Sequence, residues 1–248
     1  MIGVLLSLLA AAFLTGSSKD ILTLLDCISP AAALMISIGR LSAVFGRADY
    51  GKTTYDAPEK QHFPISLEVA EASGNTAWRF PTFFYESLAA LVIFILLTVI
   101  FIRRRELFAK RIGSGVVALM FGTMFSCAQI VLESTRYDSL FLRSNGFVSL
   151  FQIVGGIMIA AAFTILSIKV SRSGENMLFF VIPDFLALAM LANAGWMEYL
   201  IQRYAASKGT YYAIMSVCMF IVFAAACYLY ILTEQNDKAA LRSKGNTA

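Results

Sequence analysis

The run SLAALVIFILLTVIFI, Ser87–Ile102, followed at once by RRRELFAKR, Arg103–Arg111, decides the fold. An uncharged apolar stretch closed by a dense basic cluster reads as a membrane-spanning helix with a cytoplasmic loop behind it. A span needs about 20 predominantly apolar residues, about 17 at the short end, and cytoplasmic loops collect Lys and Arg. The whole chain has the same character. Its 248 residues are 58% hydrophobic and 15% charged, with a mean hydropathy of +0.72, whereas a soluble domain carries about 25% charged residues. The net charge of +4 is therefore a statement about topology, and nucleic acid is not expected as a partner.

Outward from that stretch, apolar runs recur at 2–15, 30–46, 87–102, 115–132, 147–169, 178–201 and 211–232. They predict an all-α, multi-pass transmembrane bundle of about seven spans. With Arg103–Arg111 inside, alternation places the 133–146 and 202–210 loops outside and the Lys169/Arg172 loop inside. The C-terminal tail, with Lys238, Arg242 and Lys244, is then cytoplasmic, as is the turn Ser17–Asp20. Ser29-Pro30 reads as the N-cap and first helical residue of the second run, and Thr82 as the N-cap of the third. Pro183 marks a kink in the sixth. Between them, 47–85 is polar and carries Gly51, Pro58, Pro64 and Gly74. It reads as an external loop of about forty residues without secondary structure, a length that is often functional.

Four cysteines, Cys27, Cys127, Cys218 and Cys227, show no CxxC spacing, and three lie in apolar runs. They read as packing residues. No metal and no cofactor is expected.

Polar groups at membrane depth carry the functional signal. Arg40 sits late in the second run, where a guanidinium costs about 2.5 kcal/mol or more at a helix centre unless it faces protein, a cavity or the interface. Facing a cavity and snorkelling to the outer interface both stay open for it. Gln129, Glu133 and Arg136 recur at i, i+4 and i+7, on one helical face. A structural ion pair explains Glu133 and Arg136 as well as a binding site does. Tyr85 and Glu86 lie in the aromatic entry Arg79–Ser87, which composition alone assigns to an interfacial belt. Asp184, Trp196 and Glu198 share the sixth run and carry no reading of their own. In this topology Arg40, Tyr50-Gly51, Tyr85-Glu86 and Glu133/Arg136 all fall at the outer membrane level. Two guanidiniums there suit a phosphate, which arginine holds by charge-assisted bidentate bonds, and an anionic lipid headgroup is the ligand class. A transporter would need paired broken helices or repeats, and the sequence shows none.

Three strings taken together resemble a known family. G-R-L-x-x-x-F-x-x-x-x-Y-G (Gly39–Gly51), P-T-x-x-Y-E-S (Pro81–Ser87) and E-x-x-R-x-D (Glu133–Asp138) are similar, in order and spacing, to prolipoprotein diacylglyceryl transferases. The resemblance covers roughly residues 1–170. It implies transfer of a diacylglyceryl group from phosphatidylglycerol to the lipobox cysteine thiol of a prolipoprotein signal peptide, in a bacterial inner or plasma membrane. It implies catalytic roles for Glu133 and Arg136, with Glu133 orienting Arg136. Substrate-binding roles follow for Arg40, Gly39, Tyr50, Gly51, Tyr85, Glu86 and Gln129. Phosphatidylglycerol, the precursor and membrane lipids are the implied partners.

The sequence also departs from the family pattern. Leu41-Ser42-Ala43 replaces x-G-N after the arginine, Ala48 stands where a glutamate usually precedes Y-G, and Gln129 stands for an arginine. MIGVLLSLL resembles the segment just after the family's H-G-G histidine loop, so the expectation is a chain truncated at its N-terminus. The only histidine is His62, in the long loop. A non-catalytic lipid-binding homologue is the alternative. Residues 1–172 are expected to form the transferase-like membrane core, and 173–248 a two-span extension with a cytoplasmic tail.

Overall fold

The computed structural model describes residues 18–46, 50–53, 61–70, 75–109, 114–137, 139–141, 146–204 and 208–245. Among them, α1 (Ser18–Leu41), α2 (Ala43–Gly46), α3 (Thr82–Arg103), α4 (Arg105–Ala109), α5 (Val116–Thr135), α6 (Leu150–Ser171), α7 (Leu178–Arg203) and α8 (Lys208–Gly245) carry nearly all the structure. Six helices of the described residues are long and apolar enough to cross a membrane. Helices are forced there because lipid offers the backbone no hydrogen-bonding partner. The chain is a multi-pass membrane protein, and Ile95, Ile157, Leu188 and Phe220 stand exposed on its flanks as lipid-facing side chains do. The expected first span, 2–15, lies outside the described residues.

Helix α5 is the hub. It packs on α1, α3, α6 and α8, while α1 pairs most extensively with α3 and α7 with α8. Val116, Val117 and Met120 of α5 are fully buried with Leu97, Ile159, Leu166, Met215, Val222 and Leu229 of its neighbours.

Three local expectations are corrected. The second helix does not begin at Ser29-Pro30. It begins at Ser18, with Pro30 inside it. Ser29 Oγ donates back to the Leu25 carbonyl (2.7 Å) instead of capping. Asp26, which would be a poor membrane residue alone, is fully buried and accepts from the Gly115 and Ala118 amides (2.6 and 2.9 Å). It thus caps the N-terminus of α5 from another helix, where orphan amides and the helix dipole favour a carboxylate. Gly115 itself has φ +89°, open to glycine and strained for other residues. At α3, Pro81 occupies the N-cap and Thr82 is the first helical residue, without a capping bond.

The third correction concerns the long loop. It contains an antiparallel hairpin, β1 (Leu67–Ala70) with β2 (Thr76–Arg79), paired Leu67 to Arg79 and Ala70 to Thr76. β1 alternates half-buried and exposed positions, a weak signal over four residues, and β2 does not alternate.

The end of the bundle opposite the hairpin is also more ordered than a basic loop suggests. Arg104 is fully buried, ion-paired with Asp237 of α8 and set over the Tyr230 ring. Lys169 Nζ donates to the Ser114 carbonyl (2.9 Å), and Asp184 accepts from Ser167 (2.8 Å).

Candidate active site

Two serines set the register in which α1 meets α3. Ser37 Oγ donates to the Ser87 carbonyl (2.9 Å) and Ser87 Oγ to the Ser37 carbonyl (2.8 Å), both buried. This reciprocal clasp places Arg40, one turn beyond Ser37, against Glu86, the residue before Ser87. Arg40 Nε lies 2.9 Å from Glu86 Oε2. The other oxygen, Oε1, lies 3.7 Å from Nη1 of Arg136, and that nitrogen is 3.6 Å from Glu133 Oε2. Glu86 therefore stands between two guanidiniums, with its side chain wholly buried, while the Arg40 side chain is 29% exposed and that of Arg136 11%. The belt reading of Glu86 does not describe this position.

Arg136 reaches the cluster differently from the way its spacing suggests. It is the C-cap of α5, with extended backbone (φ −70°, ψ 148°), so the helical face that carries Glu133 ends before it. What holds it is the loop. Gly51 pairs with Arg136 in an isolated antiparallel bridge. The Gly51 amide donates to the Phe80 carbonyl (2.7 Å), and the Lys52 amide to that of Thr135 (2.8 Å). A Cβ on Gly51 would lie 2.6 Å from Thr82 Oγ1 and 2.8 Å from the Thr135 carbonyl oxygen. Close backbone approach is the reason for glycine here.

The remaining expected residues fall around this centre. The Tyr50 ring meets Phe83 edge-on at 5.8 Å. Tyr85 stacks on Phe80 at 4.8 Å and donates its hydroxyl to the Pro64 carbonyl (3.1 Å). Gly39 is exposed with open space around it. Gln129 is half-buried and makes no hydrogen bond among the described residues, so it is not drawn into the cluster. Ala48, Asp49 and Asp138 lie outside the described residues.

Lys52 was not singled out from sequence. Its Nζ donates to the Ser134 carbonyl (2.9 Å). Burial pushes its pKa below the ordinary lysine value, the Lys208 charge adding to that and the Glu198 charge opposing it. Only its place directly after Tyr50-Gly51 could have drawn attention to it.

An apolar groove of about 450 Å³ opens between α3, α5 and α8, lined among others by Tyr85, Leu88, Val92, Met124, Leu132 and Phe223. Its head is at Tyr85 and Leu132, the immediate neighbours in sequence of Glu86 and Glu133. Chemically, the chain offers paired arginines and, on the same helices α3 and α5, an apolar slot that an alkyl chain fits.

A family model described as prolipoprotein diacylglyceryl transferase matches residues 1–168. Relatives named phosphatidylglycerol–prolipoprotein diacylglyceryl transferase include one from Enterococcus faecalis, 31% identical over 159 residues, or 64% of this chain and 54% of the relative. Those from Thermosynechococcus vestitus and Gloeobacter violaceus are each 32% identical, covering 54% and 58% of this chain and 47% and 52% of their own lengths. The chain spans about half the length of the curated relatives it matches. No solved structure matches it.

Proposed function

The chain belongs to the prolipoprotein diacylglyceryl transferase family, and we propose on that footing that it moves the diacylglyceryl group of phosphatidylglycerol onto the cysteine thiol of a prolipoprotein lipobox. The observation that carries the reading is the meeting of Arg40 and Arg136 at Glu86. The headgroup phosphate sits at the guanidiniums and an acyl chain in the groove.

The four charges Arg40, Arg136, Glu86 and Glu133 balance, which keeps two arginines tolerable at this depth. The contacts of Arg136 to Glu86 and Glu133, at 3.7 and 3.6 Å, exceed hydrogen-bond length. At that range the two carboxylates act on the guanidinium through charge and orient it towards the cluster. In the transfer the thiolate sulfur forms a bond to the glyceryl carbon as the carbon–oxygen bond to phosphate breaks. The electron pair stays on that oxygen and glycerol phosphate leaves. Arginines aimed at the departing phosphate stabilise the charge that develops there. The thiol proton must be lost first, since the thiolate is the nucleophile.

The basic residues at Arg103–Arg111, Lys169/Arg172 and Lys238–Lys244 support a cytoplasmic C-terminus and a site at the outer leaflet of a bacterial plasma or inner membrane. Tyr50-Gly51 shapes the loop over the headgroup, and Tyr85 and Gly39 border it. Residues 1–172 form the transferase core and 173–248 an added helix pair. Expression in a bacterium depleted of its own transferase tests the reading. Restored thioether modification of lipoproteins is expected, and its loss with Arg136→Ala. Precursors left unmodified by the unaltered protein would overturn it.

A further inference from the structure

The turn that bears Glu133 and Arg136 ends a helix, where the last four carbonyls lack intrahelical partners. In this protein each is taken. The Leu132 carbonyl accepts from Thr135 Oγ1 (2.6 Å), and that of Glu133 from Ser139 Oγ (2.9 Å) and the Arg136 amide (3.1 Å). The Thr135 carbonyl accepts from the Lys52 amide (2.8 Å). The Ser134 carbonyl, between the two, receives two donors from remote parts of the chain, Lys52 Nζ at 2.9 Å and Tyr212 Oη at 3.1 Å. Tyr212 opens α8, well past residue 168, where the family match ends.

A carboxylate stands behind these donors. Glu198 of α7 is 2% exposed, and accepts from Gln152 Nε2 of α6 (3.1 Å) and Gln202 Nε2 (2.7 Å). Gln152 also donates to the Ile130 carbonyl of α5 (3.1 Å) and closes the capping box with Ser149 that starts α6. A buried Glu on a lipid-embedded helix is expensive. Its position here, bonded through Gln152 to α6 and to the Ile130 carbonyl of α5, one helical turn before Ser134, gives it a task at the site.

We propose that the helix pair α7–α8, which lies beyond the family-matched region, supplies Tyr212 and Glu198 as positioning residues that, with Lys52, hold the Glu133–Arg136 turn in register for phosphate displacement. The extension is then a working wall of the site. This rests on the proposed transferase function. The extended backbone of Arg136 is held by this turn and by the Gly51 bridge, and misplacement of a transition-state group by about 1 Å costs up to about 100-fold in rate.

The test uses the full chain in vesicles containing phosphatidylglycerol, with a lipobox peptide thiol, and compares Tyr212→Phe and Glu198→Gln with the unaltered protein. Each variant should lower kcat by about tenfold, the scale of one hydrogen bond, while KM for phosphatidylglycerol stays within about twofold because Arg40 still holds the headgroup. Lys52→Arg should retain more kcat than Lys52→Met. Unchanged kcat in folded Tyr212→Phe and Glu198→Gln would overturn the positioning role, as would a loss that tracks only the amount of folded protein. If Tyr212→Phe does not accumulate, Glu198→Gln decides alone. No transfer by the unaltered protein would overturn the function and this role together, whereas transfer untouched by both variants would overturn this role only.

Discussion

Arg40 Nε stands 2.9 Å from Glu86 Oε2, and of the two side chains only that of Arg40 reaches the surface, 29% exposed against none for Glu86. The asymmetry decides which half of the pair matters more for stability. Arg40→Met strands a buried carboxylate and should lower unfolding free energy by about 3 kcal/mol, the low end for breaking a buried pair, because Arg136 still faces Glu86. Glu86→Gln leaves an arginine that can turn outward and should cost about 1 kcal/mol. Denaturant unfolding in detergent measures both, and the double variant should be more stable than Arg40→Met alone. The reverse order would show that Glu86 is not the stranded charge.

Gly51→Ala should destabilise by about 1–3 kcal/mol, the scale of overpacking, since its Cβ would lie within 3.0 Å of three atoms. Adding Thr82→Ala removes the hydroxyl at 2.6 Å but leaves the Thr135 carbonyl at 2.8 Å. Little rescue of the melting temperature is therefore expected, and full rescue would locate the constraint in the Thr82 side chain instead.

Asp26→Asn takes the charge from the α5 N-terminus and keeps one accepting oxygen for two amides. A loss of about 1–2 kcal/mol follows. Gly115→Ala strains the same cap through its φ of +89° and should cost about 1 kcal/mol. As both act on one structure, their effects in the double variant should fall short of the sum. Strict additivity in thermal unfolding would separate the two sites.

Lys52 gives a pH signature. Its native pKa is lowered from 10.5 by burial. Between that lowered value and 10.5, the unfolded chain binds more protons than the native one, so stability rises with pH across this window. The stability of the unaltered protein relative to Lys52→Met should accordingly increase as pH rises through that window to 10.5. A gap that stays flat or shrinks in parallel denaturation series would mean Lys52 is not desolvated.

The motif residues were largely readable in sequence, because a family's order and spacing survive as strings, yet their partners were not. Spacing along a helix reports only neighbours three or four residues apart. It paired Glu133 with Arg136, although the chain leaves the helix at Arg136 and the pair forms through a turn. The Ser37–Ser87 clasp joins residues 50 apart and the Asp26 cap residues 89 apart. No local pattern encodes such distances, and the missed cap is why the second helix was started twelve residues late, at Pro30 instead of Ser18.

The sequence by itself determined that this is a multi-pass helical membrane protein and roughly where its spans lie, because lipid leaves an apolar run only one way to satisfy its backbone. Tertiary packing alone decided that Glu86 lies between Arg40 and Arg136, that Gly51 must lack a side chain, and that Tyr212 of the last helix bonds the turn bearing Arg136. Those outcomes depend on where helices far apart in the chain come to rest. In the membrane that is set by the packing of small and polar side chains such as Ser37 and Ser87, and not by apolar pattern.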